Sequence, residues 1–364
     1  MKRRDFLKGT AGISSALAAV SAFPAPAIAQ GVKELKLVTS WPKGFPGLGT
    51  SAESLAKRIT DTSGGKLNVK IFASGELVKA FEVFDAVSAG LADMYHSAEY
   101  YWVEKSPAFA YFGTVPYGLT ASEMNSWINW GGGQKLWDEL SAQHGLKCLL
   151  ASNTGVQMGG WFNKEINSVK DYNELKIRMP GLGGKVLSQL GAVVINVPGG
   201  KIVSSLQSGA IDASEWVGPW NDLKLGLHTA GKYYYYPGIH EPGTALALGI
   251  NKDVWEGLTK EQRSIIESCA AAEYSQSVAF FNAQNTSALE ELKTKHNVDI
   301  RKFDDAILKA LGPISREVLA ASSKHDDLSR RVYESFLKFR KSAIAWGDLS
   351  ERAYLNARSI AGIS

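Results

Sequence analysis

Cysteine is nearly absent: Cys148 and Cys269 are the only two in 364 residues, too few for a cysteine-built metal or cluster site. One sits in an apolar strand pattern and the other in a helical pattern, which leaves open either a disulfide formed in an oxidising compartment or two buried thiols. A membrane-spanning run is missing too, because the apolar stretch at residues 13–23 is broken by Ser14, Ser15 and Ser21 and stops at Pro24, short of the roughly 20 residues a span needs. The signatures of common catalysis are also lacking. There is no phosphate-loop Gly-Lys-Ser/Thr, no His-Glu-x-x-His, no Gly-x-Ser-x-Gly and no haem Cys-x-x-Cys-His, and the six histidines are dispersed. Gly47-Leu48-Gly49-Thr50-Ser51-Ala52 matches the dinucleotide pattern loosely, but the next strand ends at Phe72-Ala73-Ser74 with no acid for a ribose. It reads as a helix-start turn.

An excess of one charge is the last absence, and it depends on the first 29 residues. Lys2-Arg3-Arg4-Asp5-Phe6-Leu7-Lys8, the Ala-rich stretch after it and the small-x-small Ala27-Ile28-Ala29 predict a twin-arginine export signal cleaved before Gln30. Two basic residues before an apolar run occur in ordinary export signals as well. Of the 40 basic and 36 acidic residues, four and one lie in this leader, so 36 and 35 remain. Such a balance gives no electrostatic reason to bind nucleic acid or a membrane surface. The remaining 335 residues exceed the length at which single cores usually divide, so two lobes are expected.

Short strands alternate with helical patterns from the start: 35–41, a helix from about 52, the period-two run 67–72, a helix over 81–89, then 91–95. That order predicts an α/β lobe with a largely parallel sheet, over residues 30–145. Leu146-Lys147-Cys148-Leu149-Leu150-Ala151 resembles a second opening strand, and 192–197 reads as another, so 30–145 is expected to be mainly the first lobe and 146–258 mainly the second. From Thr259 to the end the pattern is almost wholly helical, with apolar residues on more than one face. Such a region packs behind the lobes or against another subunit.

One pattern occurs twice. Val87-x-x-Gly90-x-x-Asp93 and Leu206-x-x-Gly209-x-x-Asp212 each follow a helical run and lead into a short aromatic-rich segment. The glycine suits a left-handed helix stop, and the repeat predicts two lobes built alike with a crevice at the carboxyl ends of their strands. Candidate binding residues collect at those ends. In Leu175-Lys176-Ile177-Arg178-Met179-Pro180 the alternation sets Arg178 at the end of a strand, where a guanidinium can grip a carboxylate bidentately. A surface ion pair is the plainer alternative. Glu215, in Ser214-Glu215-Trp216-Val217, lies among apolar and aromatic neighbours and needs a partner, a proton or a cation. If it shares the crevice with Arg178, a hard cation such as Na⁺ or Ca²⁺ would reconcile it with a carboxylate ligand, and Gln157 offers an amide oxygen nearby. Tyr95-His96-Ser97-Ala98-Glu99-Tyr100-Tyr101-Trp102 supplies aromatic walls or simply core. His240-Glu241 is a weak metal pair, because adjacent side chains of an extended chain point apart.

Gly90-Leu91-Ala92-Asp93-Met94, Leu175-Lys176-Ile177-Arg178-Met179-Pro180 and Gly209-Ala210-Ile211-Asp212-Ala213-Ser214-Glu215-Trp216 resemble the extracytoplasmic binding subunit of tripartite ATP-independent periplasmic (TRAP) transporters. The Glu215-Trp216 pair, Tyr100-Tyr101-Trp102 and the leader look most like the branch that binds α-keto acids such as pyruvate, or lactate, as metal complexes. The resemblance implies a two-lobed periplasmic-binding-protein-like α/β fold with a cleft between the lobes, a long connecting helix, and a helical C-terminal region over 259–364. It implies that Arg178 grips the ligand carboxylate. Gln157, Glu215 and the main-chain carbonyl of Trp216 would hold Na⁺ or Ca²⁺, and Tyr100, Tyr101 and Glu241 would line the pocket. It further implies a small organic acid as ligand, TRAP membrane subunits as partners, no catalysis, and a homodimer made through the C-terminal region. An exported cofactor-dependent enzyme, or a binding protein that signals through a receptor, are the alternative functions.

Overall fold

The structure, a computed structural model, describes residues 31–363. The twin-arginine leader and the expected cleavage before Gln30 lie outside the described residues. Eleven strands follow one another among the described residues: β1 (Lys33–Thr39), β2 (Leu67–Phe72), β3 (Met94–Ser97), β4 (Leu146–Asn153), β5 (Gly160–Phe162), β6 (Lys176–Arg178), β7 (Val193–Val194), β8 (Ala213–Ser214), β9 (Tyr233–Tyr236), β10 (Ala245–Asn251) and β11 (Asp299–Lys302). They form two sheets, ordered β2-β1-β3-β10-β4 and β11-β9-β5-β8-β6-β7. Each sheet is the floor of one lobe.

The periodicities explain the elements. β1 buries Leu35 and Leu37 while Glu34 and Lys36 face out, the period-two signature of a half-buried strand. The helix Leu48–Thr62 buries Leu48, Ala52, Leu55, Ala56 and Ile59, spaced three or four apart, so one stripe faces the sheet. Gly47 starts it at φ +76°, where a Cβ would lie 2.5 Å from Phe281 and 2.9 Å from Trp220. The expected helix-start turn is therefore correct, and only glycine fits it.

Two expectations need correction. The sheets are mixed rather than largely parallel: β1 pairs parallel with β2 and β3, and β6 with β7 and β8, but β10 runs against β3 and β4, and β5 against β8 and β9. The division at residue 146 is also not clean: β5 to β9 of 146–258 lie in the second sheet, but β4 and β10, inside the same range, belong to the first. Their strong apolar pattern marks burial but carries no record of the partner strand. The chain thus crosses between sheets at residues 154–159 and 237–244. The strand expected over 192–197 shrinks to an edge strand of two residues, with Val193 half exposed.

The long connecting helix is Lys260–Thr294, opened by a reciprocal cap in which Thr259 Oγ1 accepts from Gln262 N at 3.2 Å and Gln262 Oε1 accepts from Thr259 N at 3.0 Å. It touches both lobes. Ser277 Oγ accepts from Asn153 N (2.9 Å) at the end of β4, and Asn285 Oδ1 accepts from Trp220 N (3.0 Å) in the second lobe. The region after it is not wholly helical, since β11 returns to pair with β9. The helices Asp305–Ser322, Asp327–Leu349 and Glu351–Ile360 follow. Val332 and Phe336 are buried, whereas Trp346, Leu349 and Ile360 are 69%, 80% and 88% exposed. Cys148 and Cys269 are buried free thiols, which decides between the two readings of the cysteines. Among the described residues no helix is long and apolar enough to cross a membrane.

Candidate functional site

Strand ends and the two crossovers meet between the sheets. Arg178 closes β6, Glu215 and Trp216 follow β8, and Tyr100 and Tyr101 follow β3, all at carboxyl ends. Gln157 lies on the first crossover, and His240 and Glu241 on the second. The surface ion pair considered for Arg178 is excluded, because the side chain is only 1% exposed. Its Nε donates to Val197 O (3.1 Å), Nη1 to the Glu215 carboxylate and main-chain oxygen (3.3 Å for the latter), and Nη2 to Tyr101 Oη (3.5 Å). The guanidinium carbon sits 5.2 Å from the Trp216 ring centroid, within cation–π range. Burial opposes its charge, but Glu215 and the surrounding phenols and Glu241 favour it more and hold the guanidinium above its ordinary pKa.

Glu215 is fully buried. One carboxylate oxygen takes Arg178; the other has no hydrogen-bond partner and lies 3.5 Å from His240 Nε2, itself without a partner. The two opposite charges suspected of sharing a crevice are in fact paired directly, as two buried charges without another partner must be. His240 and Glu241 do not point apart, because residues 239–240 form a turn rather than an extended chain. One ligand atom each of Glu215, His240 and Glu241 lies within 4.8 Å of the others. Burial, then the Glu215 charge, push Glu241 up to about 7, while its carboxylate accepts from the Thr244 hydroxyl. His240 is thus a member of the cluster that sequence reasoning missed. An adjacent acid on an apolar lead-in was the available signal, and the assumption of an extended chain hid it.

Gln157 is oriented by elimination. Its Nε2 lies 3.0 Å from both Thr154 Oγ1 and Thr244 Oγ1. Each hydroxyl already spends its proton, Thr154 on Gly155 O at 3.0 Å and Thr244 on Glu241, so both can only accept from the amide. Gln157 Oε1 is left buried and bare. It therefore asks for a donor or a cation. The crevice beside it holds about 230 Å³ of space between atoms, part of it continuous with solvent, against Trp41, Tyr100, Tyr101, Thr244 and Trp216. Burial pushes Tyr101 up to about 12, so its hydroxyl keeps its proton. Trp41 is fixed through Nε1, which donates to His96 Nδ1 at 2.9 Å, and burial pushes His96 down to about 3 so that the ring is neutral.

A larger groove of about 900 Å³ runs between the helices Leu48–Thr62 and Lys260–Thr294. Its buried carboxylate, Glu273, already accepts from Ser51 (2.8 Å), Ser54 (2.7 Å) and Arg58 (3.4 Å). Gln157, with its bare Oε1, lines the smaller crevice, and Glu215, with a bare oxygen, immediately precedes Trp216 of that lining, so a ligand has something to satisfy there.

Comparison with known proteins identifies the family. The family model for bacterial extracellular solute-binding proteins, family 7, matches residues 37–325. A monocarboxylate 2-oxoacid-binding periplasmic protein of Nostoc sp. is 38% identical over 363 residues, covering 99% of each chain. A TRAP transporter solute-binding protein of Bordetella bronchiseptica, a mixed-occupancy dimer with copurified calcium and picolinate, superposes at a TM-score of 0.88 with 32% identity, covering 91% of this chain and 98% of that one. A TRAP periplasmic solute-binding protein of Colwellia psychrerythraea with bound calcium and pyruvate superposes at 0.87 with 36% identity, covering 90% and 99%. Matched along most of its length and folded in the same two lobes, the chain belongs to family 7 of the bacterial extracellular solute-binding proteins, the binding subunits of TRAP transporters.

Proposed function

We propose that this protein is exported to the periplasm by the twin-arginine route, captures a 2-oxo monocarboxylate such as pyruvate together with Ca²⁺ or Na⁺, and delivers it to TRAP membrane subunits without catalysing a reaction. The observation that carries the reading is the pair of bare buried acceptors, Gln157 Oε1 and the free oxygen of Glu215, beside the buried cation Arg178. A carboxylate ligand alone would meet Arg178 and be repelled by Glu215. A cation held by Gln157, Glu215 and the Trp216 carbonyl takes over the Glu215 charge and frees the guanidinium for the ligand. These ligands are all oxygens, and hard cations are bound by oxygens. Tyr100 and Tyr101 line the crevice, Glu241 stands behind the lining Thr244, and together they exclude water. Ligand and cation together bridge residues of both lobes and shift an open–closed equilibrium toward the closed form. The calcium and pyruvate in the Colwellia relative support the same pairing here.

The exposed Trp346, Leu349 and Ile360 of the C-terminal helices form the contact of a homodimer in this reading, a length of apolar surface that a lone subunit would leave in water. Calorimetry with pyruvate tests the binding step. Tight binding is expected with Ca²⁺ or Na⁺ and loss of it after exhaustive removal of both; equal affinity in the two conditions would sink the cation. Sedimentation of the same preparation tests the dimer, and a monomer at every accessible concentration would remove it.

A further inference from the structure

The peptide unit that joins Trp216 to Val217 carries the Trp216 C=O on one edge and the Val217 N–H on the other, because the unit is planar and trans. Whatever holds the N–H therefore aims the carbonyl in the opposite direction. Val217 N–H donates to Asp222 Oδ1 at 3.1 Å, and Gly218 N–H donates to the same oxygen at 3.1 Å. Asp222 Oδ2 accepts from Trp161 Nε1 of β5 at 2.9 Å and from Tyr234 Oη of β9 at 2.7 Å. The carboxylate is 1% exposed, and among the described residues no lysine, arginine or histidine forms an ion pair with it. Four donors converge on it from three parts of the second lobe. An amide side chain in its place has only one oxygen and would turn its NH₂ toward two of those donors. Burial pushes Asp222 up to about 7, against the hydrogen bonds from Tyr234, Trp161 and Val217 that favour its ionised form.

We propose that Asp222 is the positioning residue of the cation site: clamped to β5 and β9, it fixes the Trp216–Val217 peptide so that the Trp216 carbonyl faces the bound cation. This rests on the cation reading of the site. Where Asp222 is ionised, its charge also polarises the peptide through its N–H and increases the electron density on the carbonyl oxygen at the opposite edge. Asp222 does not itself line the crevice and meets it through the main chain of Val217, so its effect on the ligand runs through that peptide. Outer residues that orient a metal ligand typically change metal affinity by about 10- to 100-fold when altered.

The test uses the mature protein with Tb³⁺ in place of Ca²⁺, reading luminescence lifetimes in H₂O and D₂O to count the waters on the ion. Asp222→Asn is expected to weaken Tb³⁺ binding by at least about tenfold and to add about one coordinated water, because a misaimed carbonyl leaves a position for solvent. Tyr234→Phe, which keeps the carboxylate and removes one donor from its far side, is expected to move both readings in the same direction by less, and it carries the test if Asp222→Asn does not fold. A merely stabilising role would lower the melting temperature and leave the water count where it was. Wild-type water count and affinity in the folded variants would overturn the positioning role alone. Absence of bound Tb³⁺ in the unaltered protein would overturn the cation reading and this inference with it.

Discussion

The two lobes share one corner and put the segment after it to different uses. In the first, Gly90 (φ +76°) stops a helix, Asp93 N donates to Lys36 O at 3.0 Å, and Asp93 Oδ2 accepts from Lys36 N at 2.6 Å. In the second, Gly209 (φ +72°) does the same, Asp212 N donates to Lys176 O at 2.7 Å, and Asp212 Oδ2 accepts from Lys176 N at 3.0 Å. Even the next bond matches, from Asn251 N to Asp93 O (2.9 Å) and from Asn163 N to Asp212 O (3.1 Å). Each corner then leads to a fully buried glutamate. Glu99 in the first lobe accepts from Tyr95 Oη at 2.6 Å and, among the described residues, forms no ion pair, and burial pushes it up to about 7 against that hydrogen bond. Glu215 in the second pairs with Arg178 and immediately precedes Trp216 of the crevice lining. A common scaffold thus supports one buried acid that burial pushes toward its protonated form and one that is paired with a buried arginine, and the difference is Arg178 at the end of β6.

Neutralising both acids breaks the comparison most sharply. Glu215→Gln is expected to weaken pyruvate binding in Ca²⁺ on the order of 100-fold, because it removes the cation's only carboxylate among the proposed ligands and leaves Arg178 buried without its partner. Glu99→Gln is expected to leave affinity unchanged within about twofold while changing how stability responds to pH. The native Glu99 carboxyl, with its pKa near 7, keeps its proton where the unfolded chain, near 4.5, has lost it. The native state then binds more protons, so this group makes the protein less stable as pH rises from about 4.5 to 7, by at most about 3 kcal/mol, and the effect levels off above. Glu99→Gln should therefore gain on the unaltered protein across that window in urea titrations. A pH-independent difference, or a large loss of affinity, would mean that Glu99 is ionised or reaches the ligand.

Local features were legible. Residues 87–93 and 206–212 announce the shared corner because a helix stop, a glycine and an acid are each set by near neighbours, and the Gly47 turn is readable for the same reason. Arg178 was placed correctly at a strand end. Its burial was not readable, because it depends on Val197, Tyr101 and Glu215 arriving from distant segments. The return of β4 and β10 to the first sheet was equally hidden: Leu146–Asn153 says that it is a buried strand but not beside what. That long-range pairing creates the crossovers, and with them the positions of Gln157, His240 and Glu241. Asp222 gives no sequence signal beyond an acid in the first turn of a helix.

The smallest expected difference tests whether the shared corner is linked to function in only one lobe. Asp93→Ala and Asp212→Ala each remove the acceptor for one strand N–H, and each should cost about 1 kcal/mol of stability. Their consequences for binding should separate. β8 is only Ala213–Ser214, so a shift of Asp212 passes within three residues to Glu215 and should weaken pyruvate binding a few-fold. β3 runs through Met94–Ser97 and into Glu99 before reaching Tyr100 and Tyr101, and it is held in mid-course by the Trp41–His96 hydrogen bond. Asp93→Ala should leave the affinity unchanged. Equal losses in the two variants would show that the lobes transmit strain alike, and that the proximity of β8 to its acid is not what makes the second corner a binding element.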